Sequence, residues 1–288
     1  YILHTTYYIL HTTNTMGQRL GQHFLVNKNK IRKIVEALEL KRGDVVVEIG
    51  PGHGELTDQL KIENSKIKIV AIEKDKILAK DLKEKFKDNK NIEIIEGDAL
   101  KLLPQLISRY TLHVTSYRLC GNIPYYITGK LLRILSELEN KPSIIILTIQ
   151  KEVAQRIIAL KPNFLNSYAM NLLAAITQFW TEPKIIEYIS KNDFRPAPKV
   201  DGAIIKLSPR INADYTQIDA DKFYEFVRVL FKQPRKTILN NLTIDNQQLI
   251  TSKDKEETRK KIEGIGLRAE DRPQNLSLEQ IRQLSTLF

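Results

Sequence analysis

From residue 43 onward the chain alternates short, almost purely apolar runs with longer stretches in which apolar residues recur every three or four positions. The apolar runs are Asp44–Gly50, Lys68–Glu73, residues 92–97, Arg118–Ile123 and Ser143–Gln150, the fourth being the weakest. Between them lie helical patterns at 54–62, 74–87, 127–138 and 151–160. Strands without a polar face, separated by helices, predict a parallel sheet covered on both sides, an α/β doubly wound architecture. A helix over 27–39 precedes this core; a helix at 167–179 and two strands, at about 184–190 and 201–208, follow it. After Pro209 the strand-like runs stop, and 220–232, 234–242, 254–264 and 277–287 all read as helices. The last opens with Ser277 and Gln280 at capping-box spacing and carries Leu278, Ile281, Leu284 and Leu287 on one face. The pattern therefore predicts a larger domain over 16–210 and a small helical domain over 211–288.

Residues 1–7 and 8–14 are near-copies, Tyr-Ile-Leu-His-Thr-Thr followed by Tyr7 or Asn14. Two such copies cannot build a repeat fold, and the segment has neither the basic start nor the apolar stretch of a secretory signal. Residues 1–15 are read as a leader outside the fold, with the functional chain starting near Met16. The longest clearly apolar stretches, such as 143–149, are about seven residues, against the roughly 20 a membrane span needs, so no membrane partner is expected. The one cysteine, Cys120, excludes a disulfide framework and a cysteine-based metal site. It lies in a predicted strand as a small core residue and fits a reducing, cytoplasmic setting; no metal is expected.

Charge changes the picture more. The 288 residues carry 45 Lys+Arg against 34 Asp+Glu, a net charge of +11. Fourteen of those bases fall in three acid-free windows, 1–35, 99–136 and 226–244, leaving 31 bases against 34 acids elsewhere. A surplus so placed points to a polyanion, and nucleic acid is the usual one.

The first predicted strand ends Glu48-Ile49-Gly50-Pro51-Gly52-His53-Gly54, a G-x-G-x-G turn into a helix. Glycines there permit tight backbone conformations and close approach of a ligand at the carboxyl end of the sheet. Gly50 and Gly52 are therefore candidate cofactor contacts. Glu73 ends the second strand, where a carboxylate can accept from both hydroxyls of a ribose. Asp98 follows the third, where an acid can accept from an adenine amino group. The turn is not the dinucleotide fingerprint: its third glycine comes one residue early, Pro51 sits inside it and Glu48 precedes it. E-x-G-x-G-x-G resembles the first motif of S-adenosylmethionine-dependent methyltransferases, which moves the expectation from hydride to methyl transfer.

The fourth strand runs into Gly121-Asn122-Ile123-Pro124-Tyr125. This resembles the N/D-P-P-Y/F tetrapeptide of amino-methyltransferases. An exocyclic aromatic amine is a poor nucleophile because its lone pair is delocalised into the ring. Acceptors aimed at its N–H bonds, the Asn122 side-chain oxygen and the Ile123 carbonyl, free that lone pair. Pro124 stiffens the loop, and Tyr125 offers a ring for the base to stack on. The proton becomes acidic once nitrogen is alkylated, so no strong base is needed and placement carries the rate.

Further segments narrow the family: Gly21-Gln22-His23-Phe24-Leu25, Gln150-Lys151-Glu152-Val153, residues 194–201, Pro234-Arg235-Lys236-Thr237 and residues 272–279. Together they closely resemble the KsgA-type ribosomal RNA adenine dimethyltransferases, from about Gly17 to the C-terminus. The resemblance implies a Rossmann-like methyltransferase fold with a helical RNA-binding domain, and S-adenosyl-L-methionine as cofactor. It implies that His23 and Leu25 contact the cofactor from the N-terminal side, and Gly50, Glu73, Asp98 and Asn122 from the strand ends. Asn122 and Tyr125 match the target-amine loop, and Phe194 the second aromatic around the target adenine. The implied substrate is two adjacent adenosines near the 3′ end of small-subunit rRNA in an assembling subunit, modified by a monomer. Arg133, Arg235 and Lys236 are the expected RNA contacts, with a plain solvated face as their alternative. His23 and Tyr126 stand where many members have Asn; Tyr126 is expected to pack, with crowding of the pocket as the alternative. Two other readings remain. One is the related large-subunit enzyme of antibiotic resistance, which the 272–279 segment and the longer helical domain disfavour. The other is a non-catalytic assembly or transcription factor, which the complete motif set disfavours.

Overall fold

The structure is a computed structural model that describes residues 22–63, 66–111, 116–159, 169–210, 218–243 and 255–288. The expected leader over 1–15 lies outside the described residues. The chain divides into two units: residues up to Ala154 with Lys184–Ser208, and Gln155–Pro183 with Pro209–Phe288.

The first unit is built on β2 (Val45–Ile49), β3 (Lys68–Glu73), β4 (Ile92–Glu96), β5 (Tyr117–Asn122) and β6 (Ile144–Gln150), with β7 (Thr181–Ile189) and β9 (Gly202–Pro209). The sheet order is β4-β3-β2-β5-β6-β9-β7. The first five strands are parallel, and β9 runs antiparallel to β6. All five residues of β2 are buried, as its unbroken apolar run requires. The strand order turns back between β2 and β5, which is where doubly wound sheets open a crevice for ligands. Helices α1 (Lys28–Ala37), α2 (Glu55–Glu63), α3 (Lys76–Lys85), α4 (Ala99–Thr111), α5 (Thr128–Glu137) and α6 (Lys151–Ile157) lie between the strands in sequence. Asn27 and Asp75 cap α1 and α3 with side-chain oxygens on two backbone N–H groups each. A two-stranded ladder of β1 (Phe24–Leu25) and β8 (Phe194–Arg195) completes the unit.

Two features depart from the sequence expectation. Helix α4 occupies 99–111, where no helix is predicted, because Pro104 interrupts an otherwise helical apolar pattern. Residues 155–183, expected within the larger domain, group with the helical unit. There α7 (Leu172–Trp180) packs on α8 (Ala220–Leu230), with Phe179 stacked on Phe223 at 4.0 Å and edge-on to Tyr224. That burial outweighs nearness in sequence. The same unit holds α9 (Ile238–Thr243), α10 (Lys255–Gly264) and α11 (Leu278–Ser285), whose Ser277–Gln280 capping box forms as predicted.

Within β2, Glu48 is 1% exposed and accepts a hydrogen bond from the Thr57 hydroxyl at 2.7 Å. Burial pushes its carboxyl up to about 8; Thr57 opposes this, and Glu55, Glu73 and Asp58 add to it. Unfolded, the group releases its proton near 4.5; folded, it holds it to about 8. Stability is therefore lost as pH rises through that window. Glu48→Gln keeps an acceptor for Thr57 without the titration. Its melting temperature should gain on wild type between pH 5 and pH 8; an equal gap at both pH values would contradict this.

Candidate active site

Register alone assembles the site. Ile49 stands opposite both Ile72 and Gly121, so Gly50, Glu73 and Asn122 leave three adjacent strands side by side. Glu73 stands opposite Glu96, which brings Gly97 and Asp98 into the same row. A cavity open to solvent lies against these strand ends. Gly50, Gly52, Glu73, Asp98, Asn122, Ile123, Pro124, Tyr125, His23 and Phe194 all line it.

The glycine turn is conformationally obligatory. Gly50 and Gly52 have φ of +67° and +62°, which side chains rarely adopt, and a Cβ on Gly52 would stand 2.6 Å from the Phe24 ring. A Cβ on Gly121 would stand 2.5 Å from the Ile49 carbonyl oxygen, so this glycine lets β5 close on β2.

Glu73 accepts from the Gly52 N–H at 3.1 Å through one oxygen and from the Asp75 N–H at 2.8 Å through the other. Burial raises its pKa despite those bonds. Each oxygen has a lone pair left for a hydroxyl donor. Asp98 caps α4 by accepting from the Leu100 N–H at 3.0 Å and pairs with Lys74 at 3.1 Å. Burial pushes Asp98 up, but Lys74 and that N–H outweigh it and hold the carboxyl below its ordinary value.

Asn122 is oriented from outside its own strand. Its amide nitrogen donates to the His23 carbonyl at 2.7 Å, which leaves the side-chain oxygen as the free acceptor. His23 Nδ1 lies 2.8 Å from the Pro196 carbonyl oxygen. Tyr125 opens a 3-10 turn, Tyr125–Ile127. Its hydroxyl is buried without a hydrogen-bond partner among the described residues. Burial, then the charge of Asp201, pushes the phenol up to about 12, so it stays neutral and offers a ring rather than a base. Phe194 is wholly buried at 0% exposure, forming cavity wall and core at once.

Three of the expected residues stand apart from this row. Leu25 does not line the cavity; its side chain lies in the core cluster, because in β1 it points opposite to Phe24. Tyr126 does not pack: it is 65% exposed at the cavity rim. Arg133, 61% exposed, already pairs with Glu137 one helical turn on, at 2.8 Å. Phe24, Ile72, Lys74 and Gly97 line the cavity and were not singled out in the sequence. Phe24 sits in the segment matched to the family; the others adjoin the strand-end acids without a chemical signature of their own.

The model of the family described as ribosomal RNA adenine dimethylase matches residues 13–276. The chain belongs to the ribosomal RNA adenine dimethylase family. It is therefore an rRNA adenine dimethyltransferase, dependent on S-adenosylmethionine. It is 37% identical to the ribosomal RNA small subunit methyltransferase A of Mycoplasma mycoides, over 93% of this chain and 95% of that one. The Clostridium botulinum protein of the same name is 36% identical over 93% and 92%. A dimethyladenosine transferase from Plasmodium falciparum superposes with a TM-score of 0.72 at 26% identity, covering 91% of this chain and 96% of that one. The 23S rRNA methyltransferase ErmE shares the fold, at a TM-score of 0.65 and 23% identity over 91% and 98%.

The cavity suits the cofactor. Buried Glu73 keeps lone-pair capacity for a ribose hydroxyl, Asp98 keeps its charge in the same lining, and the glycines of the turn bring backbone to the cavity. Gly52→Ala should weaken cofactor binding at least about tenfold, because the strained backbone and the displaced Phe24 ring both deform the wall. Calorimetric titration with the cofactor measures this; unchanged affinity would show that the turn is not a contact.

Proposed function

We propose that the chain dimethylates the exocyclic amines of two adjacent adenosines near the 3′ end of small-subunit rRNA, late in assembly of that subunit. The observation that carries this reading is Asn122, which lines the cavity in one row with Gly50, Glu73 and Asp98 and whose amide nitrogen is taken by the His23 carbonyl, leaving its oxygen as the free acceptor. S-adenosylmethionine, when bound, supplies an electrophilic methyl group. The chain's own residues do the rest. Glu73 and Asp98 hold the ribose and the adenine of the cofactor. The Asn122 oxygen and the Ile123 carbonyl accept from the target amine, and Pro124 keeps these acceptors set in advance. Tyr125 and Phe194 flank a base that has been taken out of its stack. The names of the relatives, at 34–37% identity along nearly the whole chain, favour the small subunit. Likeness to ErmE at 23% identity speaks for the fold only. The enzyme works as a cytoplasmic monomer in this reading; no described helix is long and apolar enough to cross a membrane.

The charge windows sort themselves by pairing. Lys30 pairs with Glu187, Lys33 with Glu36, Arg118 with Asp44 and Arg133 with Glu137. Arg228, Lys232, Arg235 and Lys236 are exposed and face no acid among the described residues. The third window is the one whose bases all remain for phosphates, while Lys28, Lys101 and Lys130 are the exposed bases of the first two without an ion pair among the described residues; the second unit is the main RNA-binding one in this reading.

Labelled cofactor incubated with unmethylated small subunits and, separately, with large-subunit rRNA should label the small subunit, at two adjacent adenosines. Label in large-subunit RNA alone would overturn the substrate, and no label in either would favour a non-catalytic factor. Asn122→Ala should lower transfer by at least about 100-fold while RNA binding persists. Reversing Arg235 and Lys236 to Glu should reduce the slope of log affinity against log salt by roughly 1–2. An unchanged slope would remove the third window from the footprint.

A further inference from the structure

Tyr126 is the residue the proposed mechanism leaves idle. It shares one 3-10 turn with Tyr125, yet the two rings diverge. The Tyr125 hydroxyl is buried, whereas Tyr126 is 65% exposed. Of the exposed large hydrophobic residues, Tyr126 is the one that also lines the cavity. An aromatic ring held in water at the mouth of a site has a face open to a flat partner.

Its surroundings name that partner. Lys130, four residues on, is exposed, and the first turn of α5 contains no acid. A Cβ on Gly129, between them in sequence, would meet nothing within 4 Å. An exposed ring, an ammonium group unpaired among the described residues and an uncrowded helix start suit a base with its phosphate.

We propose that Tyr126 is the stacking platform for the nucleotide next to the target adenosine, with Lys130 facing its phosphate. The inference rests on the function proposed above and deepens it. While one adenosine occupies the cavity, its neighbour lies on Tyr126, so the pair is held in place for both to be modified in turn. Stacking on an aromatic face tolerates any base but is lost when the base is missing.

The test uses unmethylated small subunits reconstituted with either intact RNA or RNA with an abasic nucleotide beside one target adenosine. With intact RNA, Tyr126→Ala should raise KM for the subunit about tenfold, with kcat and cofactor affinity nearly unchanged. Tyr126→Phe and Tyr126→Trp should restore KM. The abasic neighbour should raise the wild-type KM by a similar factor and leave the Tyr126→Ala variant where it was. A wild-type KM in Tyr126→Ala, a full further loss in that variant on abasic RNA, or a parallel fall in cofactor affinity would each overturn the assignment. If wild type labels neither small subunit, the substrate reading fails and takes this inference with it; label at the target with no effect of Tyr126→Ala fails this inference alone.

Discussion

The hydrogen bond from the Asn122 amide to the His23 carbonyl joins residues 99 positions apart and turns a strand end into a site. Without it the amide could present nitrogen or oxygen to the cavity with equal ease; with it only the oxygen is free. The bond also has to be prepared by the chain around His23. β1 pairs with β8, the Val26 N–H donates to the Asp193 carbonyl at 2.9 Å, and the Asn27 amide donates to the Asp193 side chain at 2.7 Å. The same Asn27 oxygen caps α1. The N-terminal segment is thus stitched to residues 193–196, and that seam contributes His23, Phe24 and Phe194 to the cavity wall. Most of the catalytic geometry descends from backbone groups a substrate never touches.

The parallel core was legible because fully buried strands must be apolar on both faces, and Val45–Ile49 or Ile144–Gln150 have no other use for such runs. The strand-end residues were legible for the same reason: parallel register turns position in sequence into a row in space. β1 and β8 were not, since two residues per strand carry no periodicity. Leu25 and Phe24 show the cost. The motif marks the segment, but the pleat decides which of two neighbours faces the cavity, and only the pairing partner fixes the pleat. Helix α4 was hidden by Pro104, whose missing donor the rest of the apolar face overrides. The membership of 155–183 was hidden because its decisive contact, Phe179 on Phe223, links distant parts of the chain.

Net charge misled in a more instructive way. Counting bases treats each as available, yet Arg118 is buried against Asp44 and also donates to the Leu38 and Glu39 carbonyls. It fastens the sheet to the end of α1 and has no charge left for a polyanion. What matters is the set of bases the fold leaves unpaired, and by that measure the cluster in the helical unit stands apart.

The acids follow an opposite rule, and together the two explain how one chain handles two ligands of opposite charge. A sulfonium donor is cationic and RNA is a polyanion, so a uniformly basic cleft would repel the first while attracting the second. The acids of the cavity are kept from summing into a field that would repel RNA. Within the lining the Asp98 charge is matched by Lys74, and Glu48, buried in β2 outside that lining, is neutral below about pH 8. Glu73 is 3% exposed and already engaged by backbone N–H groups, within reach of a ligand inside the cavity but buried from the surface. The cationic donor therefore meets these carboxyls only after entry, while the polyanion meets the bases the exterior leaves unpaired. Burial depth, more than residue count, separates the two recognitions.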